Sequence, residues 1–121
     1  MEKQNINYPV ELILALLGDK WKILILCQLF KETKRFNEIF RSIDNINQKM
    51  LAQQLRSLES DGFITRKVYP EVPPRAEYSL TALGRSLNPV IGAMFDWAME
   101  NKESFTFKYN INIDPNFKLP H

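Results

Sequence analysis

Gln48, Lys49, Gln53 and Arg56 are the residues of this chain best suited to chemistry with a partner. Their spacing, with Ser60 beyond them, places them on one side of a helix running Gln48–Ser60, since residues three or four apart share a helical face. A primary amide presents a donor and an acceptor side by side, the pattern that pairs with the edge of adenine. Ammonium and guanidinium groups match the two acceptors of guanine, and a good bidentate contact discriminates between bases by ~1–3 kcal/mol. Gln48, Lys49 and Gln53 lie in the N-terminal half, the part that enters a major groove, so they form the base-edge set. Arg56 is further along and suits phosphate. An isolated helix of this kind is more often an ordinary solvated surface. The segment that follows changes the reading: Arg66 and Lys67 stand on a first strand, and the tip Tyr69-Pro70-Glu71-Val72-Pro73-Pro74-Arg75 ends in another cation. A cation on a proline-stiffened hairpin reaches a phosphate or a narrow A·T-rich minor groove. Lys34 and Arg35, on a short extended piece upstream, are the remaining cations expected at the nucleic-acid backbone.

Other chemistries lack their parts. The chain has one histidine, His121, and one cysteine, Cys27. Imidazole acid–base catalysis, a Ser-His-Asp arrangement and an HExxH zinc site therefore have no internal histidine to use. A lone cysteine permits no internal disulfide and no cysteine-rich zinc site. Glycines at 18, 62, 84 and 92 match no phosphate-binding loop. No enzymatic activity and no cofactor are expected. Net charge is +2, but it is unevenly spread: Lys20–Arg75 holds 11 basic and 6 acidic residues, the remainder 5 and 8. The basic segment is the one carrying the proposed reading helix and hairpin, which suits a polyanion on one face.

The elements that must position these residues are legible from periodicity and caps. With 121 residues the chain is expected to form one domain with a core that needs no staple. Pro9 starts a helix over Val10–Leu17 that Gly18 ends. Asp19 caps a second helix, Lys20–Phe30, apolar almost all round and therefore central in the core. Phe36, Ile39, Phe40 and Ile43 form one stripe of a third, with Asn37 read as its N-cap. Asp44-Asn45 marks a turn, Asn47 caps the Gln48–Ser60 helix, and Leu51, Leu55 and Leu58 are its buried stripe up to Gly62. Phe63–Tyr69 and Ala76–Leu80 read as an antiparallel pair. Thr81 caps a last helix to about Glu100, with a kink or break expected at Pro89. Beyond Asn101, Phe105, Phe107, Tyr109, Ile111 and Ile113 alternate with polar residues and read as a single strand. The expected fold is mainly α with a small β-hairpin, a winged helix-turn-helix. Residues 1–101 form the domain, including dimerisation helices at about 9–18 and 81–100. Residues 102–121 form a tail, an arm or strand.

The last helix carries more apolar surface than a small monomer covers. Leu83, Leu87, Val90, Ile91, Met94, Phe95, Trp97 and Ala98 are expected to form a two-fold homodimer contact, joined by the Val10–Leu17 helix. A dimer implies a palindromic double-stranded site. A small-molecule effector, of a chemistry the sequence does not name, would sit between the dimer helices and the core, with Trp21, Phe95 and Trp97 as lining. No apolar run is long enough to span a membrane, and the N-terminus lacks the basic-then-apolar order of a signal peptide. The expected location is the cytoplasm.

Several separated blocks then agree with a known pattern. Pro9-Val10-Glu11, Gly18-Asp19-Lys20-Trp21-Lys22, Arg35-Phe36-Asn37-Glu38-Ile39, the run Gln48–Glu59 and Asp61-Gly62 resemble the HxlR-type transcriptional regulators. So does the most specific block, Val68-Tyr69-Pro70-Glu71-Val72-Pro73-Pro74-Arg75-Ala76-Glu77-Tyr78-Ser79-Leu80-Thr81, with Leu83-Gly84-Arg85-Ser86-Leu87 after it. The resemblance covers about Pro9–Asn101. It implies a dimeric winged-helix DNA-binding regulator related to the MarR type, from a bacterium or archaeon, and a repressor rather than an activator. Many members resemble Cys-Pro-Val-Glu at the first block, and some use that cysteine to sense thiol-reactive compounds. This chain has Tyr8 there, so that mechanism is not carried over, and Cys27 is expected to act as a small buried apolar residue. The alternative class is a winged-helix adaptor binding a protein partner. It requires an apolar or acidic reading face, whereas Gln48, Lys49, Gln53 and Arg56 are polar and cationic.

Overall fold

The computed structural model describes residues 2–119. Pro9 opens α1 (Pro9–Leu17), and Gly18 ends it where a Cβ would collide with the Leu14 carbonyl. Asp19 caps α2 (Lys20–Lys31) by accepting the Lys22 N–H at 3.1 Å. Ile25, Leu26 and Leu29 of this helix are fully enclosed, as its all-round apolar sequence predicts. The two-residue strand β1 (Lys34–Arg35) leads into α3 (Phe36–Ser42). Here the sequence reading needs correction. Arg35, not Asn37, is the N-cap residue, and the helix satisfies its first turn from inside: the Glu38 carboxylate accepts the Arg35 backbone N–H at 2.9 Å. Asn45, with φ 68, makes the turn that separates α3 from α4 (Gln48–Ser60).

Helix α4 is fixed at both ends and along its length. Asn47 Oδ1 accepts the Met50 N–H at 2.8 Å. At the C-terminus Gly62, with φ +84, donates to Glu59 O and Phe63 donates to Leu58 O, both at 3.0 Å. This paired closure needs a left-handed residue, which glycine adopts without steric penalty. Leu51, Leu55 and Leu58 are completely or almost completely buried. Each contributes roughly 1.5–3 kcal/mol by leaving water, so rotating the helix to present another face would expose all three.

Strands β2 (Ile64–Tyr69) and β3 (Arg75–Leu80) pair antiparallel from Ile64↔Leu80 to Tyr69↔Arg75, and β1 adds to the other side of β3, giving the order β1-β3-β2. Thr81 ties the base of this wing to the end of α4, because its hydroxyl donates to Gly62 O at 2.6 Å. The same oxygen accepts the Gly84 N–H at 3.0 Å and caps α5 (Ala82–Arg85). Gly84 itself lies so close to β2 that a Cβ would strike the Phe63 carbonyl. The last helical stretch is broken, as one of the two outcomes expected near Pro89, but the break falls before the proline rather than at it. After a break at Ser86-Leu87, α6 runs Asn88–Asn101 with Pro89 in its first turn, where proline's missing N–H costs no helical bond.

The tail also departs from expectation. It forms no strand among the described residues. A single 3-10 turn spans Lys102–Phe105, and the chain then folds back irregularly. Phe117 packs on Phe95 with ring centroids 5.5 Å apart, and Leu119 joins the core beside Gly92 of α6. Of the alternating aromatics only Phe105 meets a helix, at Trp97, while Phe107 and Tyr109 stay exposed with no strand to pair with.

Candidate nucleic-acid interface

The buried leucine stripe of α4 leaves Gln48, Lys49, Gln53 and Arg56 exposed together. Among the described residues none of the four side chains takes part in a hydrogen bond or ion pair, so no internal side-chain contact has to break before they meet a partner. Gln54, their neighbour in sequence, is instead half-buried with Oε1 enclosed and without a hydrogen-bond partner. The first N–H groups of α4 remain unsatisfied except where Asn47 accepts one, a fit for phosphate oxygens.

The wing cations divide by strand alternation. Ile64 and Leu80 are buried and Tyr78 points the same way, so Lys67 and Arg75 take the outer face of the sheet, and Arg35 of β1 joins them opposite Glu77. Arg66 is exposed but leaves the sheet on the other side, so it and Lys67 do not present together. Arg75 is not at the extreme tip as the sequence suggested. It is the first residue of β3, its guanidinium carbon 4.2 Å from the centre of the Tyr69 ring and its Nε 3.3 Å from Glu71 Oε2. Lys67 Nζ sits 4.9 Å from the same ring. The fully exposed tip belongs to Val72. Lys34 is turned back to α2, donating to Gln28 Oε1 at 2.8 Å, and does not join the group.

A groove of 510 Å³ between the start of α3 and the wing is lined by Arg35, Asn37 and Arg75. Arg41, not singled out from the sequence, borders the adjoining depression with Arg35. The signal for it was present. The Phe36–Ile43 stripe buries one face of α3 and leaves Asn37 and Arg41, one turn apart, on the other.

The expected dimer residues also separate. Leu83, Val90, Met94 and Trp97 are exposed, Trp97 at 58 %, while Leu87, Phe95 and Ala98 are half-buried. Ile91 is fully buried and has no surface to offer a partner, a correction to the sequence reading. On α1 the apolar side chains of Val10, Leu12, Ile13 and Leu14 are exposed and only Leu17 is buried. Trp21 and Phe95 line a pocket of 380 Å³ against the core; Trp97 does not, and packs on Phe105 at 6.1 Å.

Cys27 is buried, and burial pushes its thiol from 9.0 up to about 11, with the Lys31 ammonium pulling weakly the other way. Between those values the unfolded chain has released a proton that the folded chain keeps. Stability from this group is therefore complete below pH 9.0 and lost as pH rises toward 11. Cys27→Ala should flatten that part of a denaturation-versus-pH curve. Alkylation at pH 8 should run roughly 100-fold slower in native than in unfolded protein, since only the thiolate reacts and each pKa unit is a factor of ten.

Residues 16–105 match the model of the HxlR-like helix-turn-helix family. The chain is 50% identical over 97 residues to YtcD of Bacillus subtilis, described as an uncharacterized HTH-type transcriptional regulator; the match covers 80% of this chain and 77% of that protein. Among solved structures, the redox regulator HypR in its reduced form superposes with a TM-score of 0.78 at 43% identity, covering 83% of this chain and 99% of that one. A protein of Porphyromonas gingivalis W83 assigned to the MarR family superposes with a TM-score of 0.75 at 39% identity, covering 84% and 99%.

Proposed function

The chain belongs to the HxlR-like helix-turn-helix family of transcriptional regulators, which are not enzymes, and from that premise we propose that it is a sequence-specific repressor acting as a homodimer on double-stranded DNA. The observation that carries the proposal is the exposed face of α4: two amides and two cations, their side chains unpaired among the described residues, standing over a leucine stripe that fixes their direction. Two copies related by a two-fold axis would set their α4 helices in successive major grooves of a palindromic site, with half-site centres about 34–36 Å apart. The outer face of the wing, with Lys67 and Arg75, would follow the adjacent backbone. Repression follows if the site overlaps a promoter. An effector that favours one spacing of the two α4 helices over another would tune occupancy, whereas one that binds both arrangements equally would change nothing. No helix among the described residues is long and apolar enough to cross a membrane, and we place the protein with its DNA in the cytoplasm.

The test is binding to the DNA upstream of the protein's own gene, against scrambled DNA of equal length, across a salt series. A preference of roughly 10³-fold or more, with log affinity falling steeply with log salt, is the expected result. Equal and weak binding to both, repeated with ligands selected from random-sequence DNA, would reject the reading in favour of a protein-binding adaptor.

Arg75 gives a sharper expectation. Arg75→Ala should weaken binding and lower the salt slope by about 1 if the residue neutralises one phosphate. Glu71→Gln removes the competing carboxylate 3.3 Å away and should tighten binding modestly at low salt. An unchanged slope in Arg75→Ala would mean that this guanidinium only braces the wing against Tyr69.

A further inference from the structure

Helix α6 is weakly oriented by its own packing. Of its 14 residues only Ile91 and Gly92 are buried, with Phe95 leaning on the core one turn further on. Crossing angles are set where the side-chain ridges of several turns interlock, and they scatter by about 15–20° within a packing class. A tilt of about 20° at Ile91 carries Asn101, about 15 Å further along at ~1.5 Å per residue, by roughly 5 Å. That exceeds the ~3.4 Å rise of one base pair, so the angle of a dimerisation helix matters to a protein that reads two half-sites.

The tail supplies the missing constraint. Asp114-Pro115-Asn116-Phe117 is a closed turn: Asp114 O accepts the Phe117 N–H at 3.0 Å, and Asp114 Oδ1 accepts the Asn116 N–H at 2.9 Å. Aspartate suits the first position because its side chain bonds the backbone two residues on, and proline suits the second because its φ is already fixed. The turn returns the chain to α6. Phe117 meets the Phe95 ring at 5.5 Å, and Leu119, 8 % exposed, joins the main core beside Gly92. Ile113 and Phe117 also line an apolar slot of 320 Å³ together with Leu24 of α2 and Ala98 and Met99 of α6. The chain that leaves the far end of α6 is thus packed back into the body beside the buried Ile91–Gly92 turn. Phe107 and Tyr109, in the stretch between, are exposed. The turn and its two anchors lie outside the 16–105 segment that matches the family.

We propose that Asp114–Leu119 is a strap that fixes the angle of α6 against the winged-helix body, with Phe117 and Leu119 as positioning residues, and that it thereby sets the half-site spacing the dimer accepts. The spacing role rests on the dimeric regulator reading above; the strap does not. The strap is tested without DNA by spin labels at Glu59→Cys on α4 and Glu100→Cys on α6, both exposed positions, in a Cys27→Ala background. Excess unlabelled protein restricts the pulsed spin-resonance signal to distances within one protomer. Phe117→Ser/Leu119→Ser should widen the distance distribution at least about twofold, as a tilt of several ångströms requires. Phe107→Ser/Tyr109→Ser, which removes as much apolar surface from exposed positions, should not widen it. If the first variant fails to fold, Leu119→Ala alone takes its place. An unchanged width, or equal widening in both variants, would overturn the strap. Lengthening the selected DNA site by two base pairs turns one half-site by about 70° at ~10–10.5 base pairs per turn. The parent should lose at least about tenfold in affinity on the longer site and Phe117→Ser/Leu119→Ser about threefold or less, with single half-site binding unchanged. Loss of stability alone would weaken both sites equally and would overturn the spacing role. If no DNA site is found while the distances still widen, the regulator reading fails and the strap stands.

Discussion

Met94→Glu/Trp97→Glu is expected to leave a folded monomer and to lower affinity for a palindromic site by roughly 10²–10⁴-fold, the factor by which linking two modest binding events exceeds either alone. Both side chains are exposed on α6, Trp97 at 58 %. In the isolated protomer a carboxylate at either position stays in water, and the one intramolecular ring contact forfeited is that of Trp97 with Phe105 at the start of the tail. In a two-fold interface the same residues face a second copy of themselves. Four carboxylates would then lie on one apolar patch without cationic partners, and an unpaired buried charge costs several kcal/mol. Light scattering should therefore report a monomer mass at micromolar concentration, while circular dichroism and melting stay close to wild type. Binding to a single half-site should change little. Ile91→Glu is the instructive contrast: this side chain is fully buried within the protomer, so the substitution should unfold the chain rather than separate two copies. If wild-type protein already scatters as a monomer, or if Met94→Glu/Trp97→Glu remains a dimer, α6 is not the interface.

The exposed apolar residues of α1 belong to the same argument. Val10, Leu12, Ile13 and Leu14 are exposed around most of that helix's circumference, and Leu14 remains 60 % accessible. A nine-residue helix that buries only Leu17 against its own core gains little from intramolecular packing. Short helices are marginal in water without tertiary support. In the homodimer proposed above, a partner protomer would supply that support.

Much of this arrangement is legible in the sequence because its determinants are local. Asp19, Asn47 and Thr81 cap the helices they precede, each by accepting an N–H three residues on. Leucines at 51, 55 and 58 are buried, so which face of α4 is left to solvent follows from spacing alone. Gly62 ends that helix because its backbone needs a positive φ. One failure is local: Glu38 reaches back three residues to the Arg35 N–H, which draws Phe36 into the helix. The others are long-range. Lys34 and Arg35 are adjacent cations that only the pairing of β1 with β3 sends to opposite sides. Ile91 and Met94 have similar composition but opposite fates, decided by where α6 meets the core and where the tail returns. The tail's alternation over residues 105–113 satisfies the pattern of a strand, yet what anchors the tail lies beyond that run, in Phe117 against Phe95 and Leu119 beside Gly92.

Reversing the charge of the reading face should separate binding from folding most cleanly. Lys49→Glu/Arg56→Glu is expected to reduce DNA affinity at least about 10³-fold near physiological salt, because two attractive contacts become repulsive. It should also lower the salt slope by about 1.8, since each neutralised phosphate contributes roughly 0.9. Gln53→Ala should behave differently: it should leave the slope intact and cost ~1–3 kcal/mol at one base pair only, relaxing the preference there. Stability moves in the other direction. Lys49 sits in the first turn of α4, where a cation opposes the helix dipole and a carboxylate is favoured by ~0.3–1 kcal/mol. Lys49→Glu alone should therefore raise the melting temperature slightly while binding falls. Its side chain is exposed and the Leu51, Leu55 and Leu58 stripe is untouched, so no packing change offsets the gain. A variant that is more stable yet binds less is the signature of a residue kept for its partner. A Lys49→Glu protein that melts earlier and still binds its DNA would mean that Lys49 serves the fold, and that the reading face lies elsewhere on the molecule.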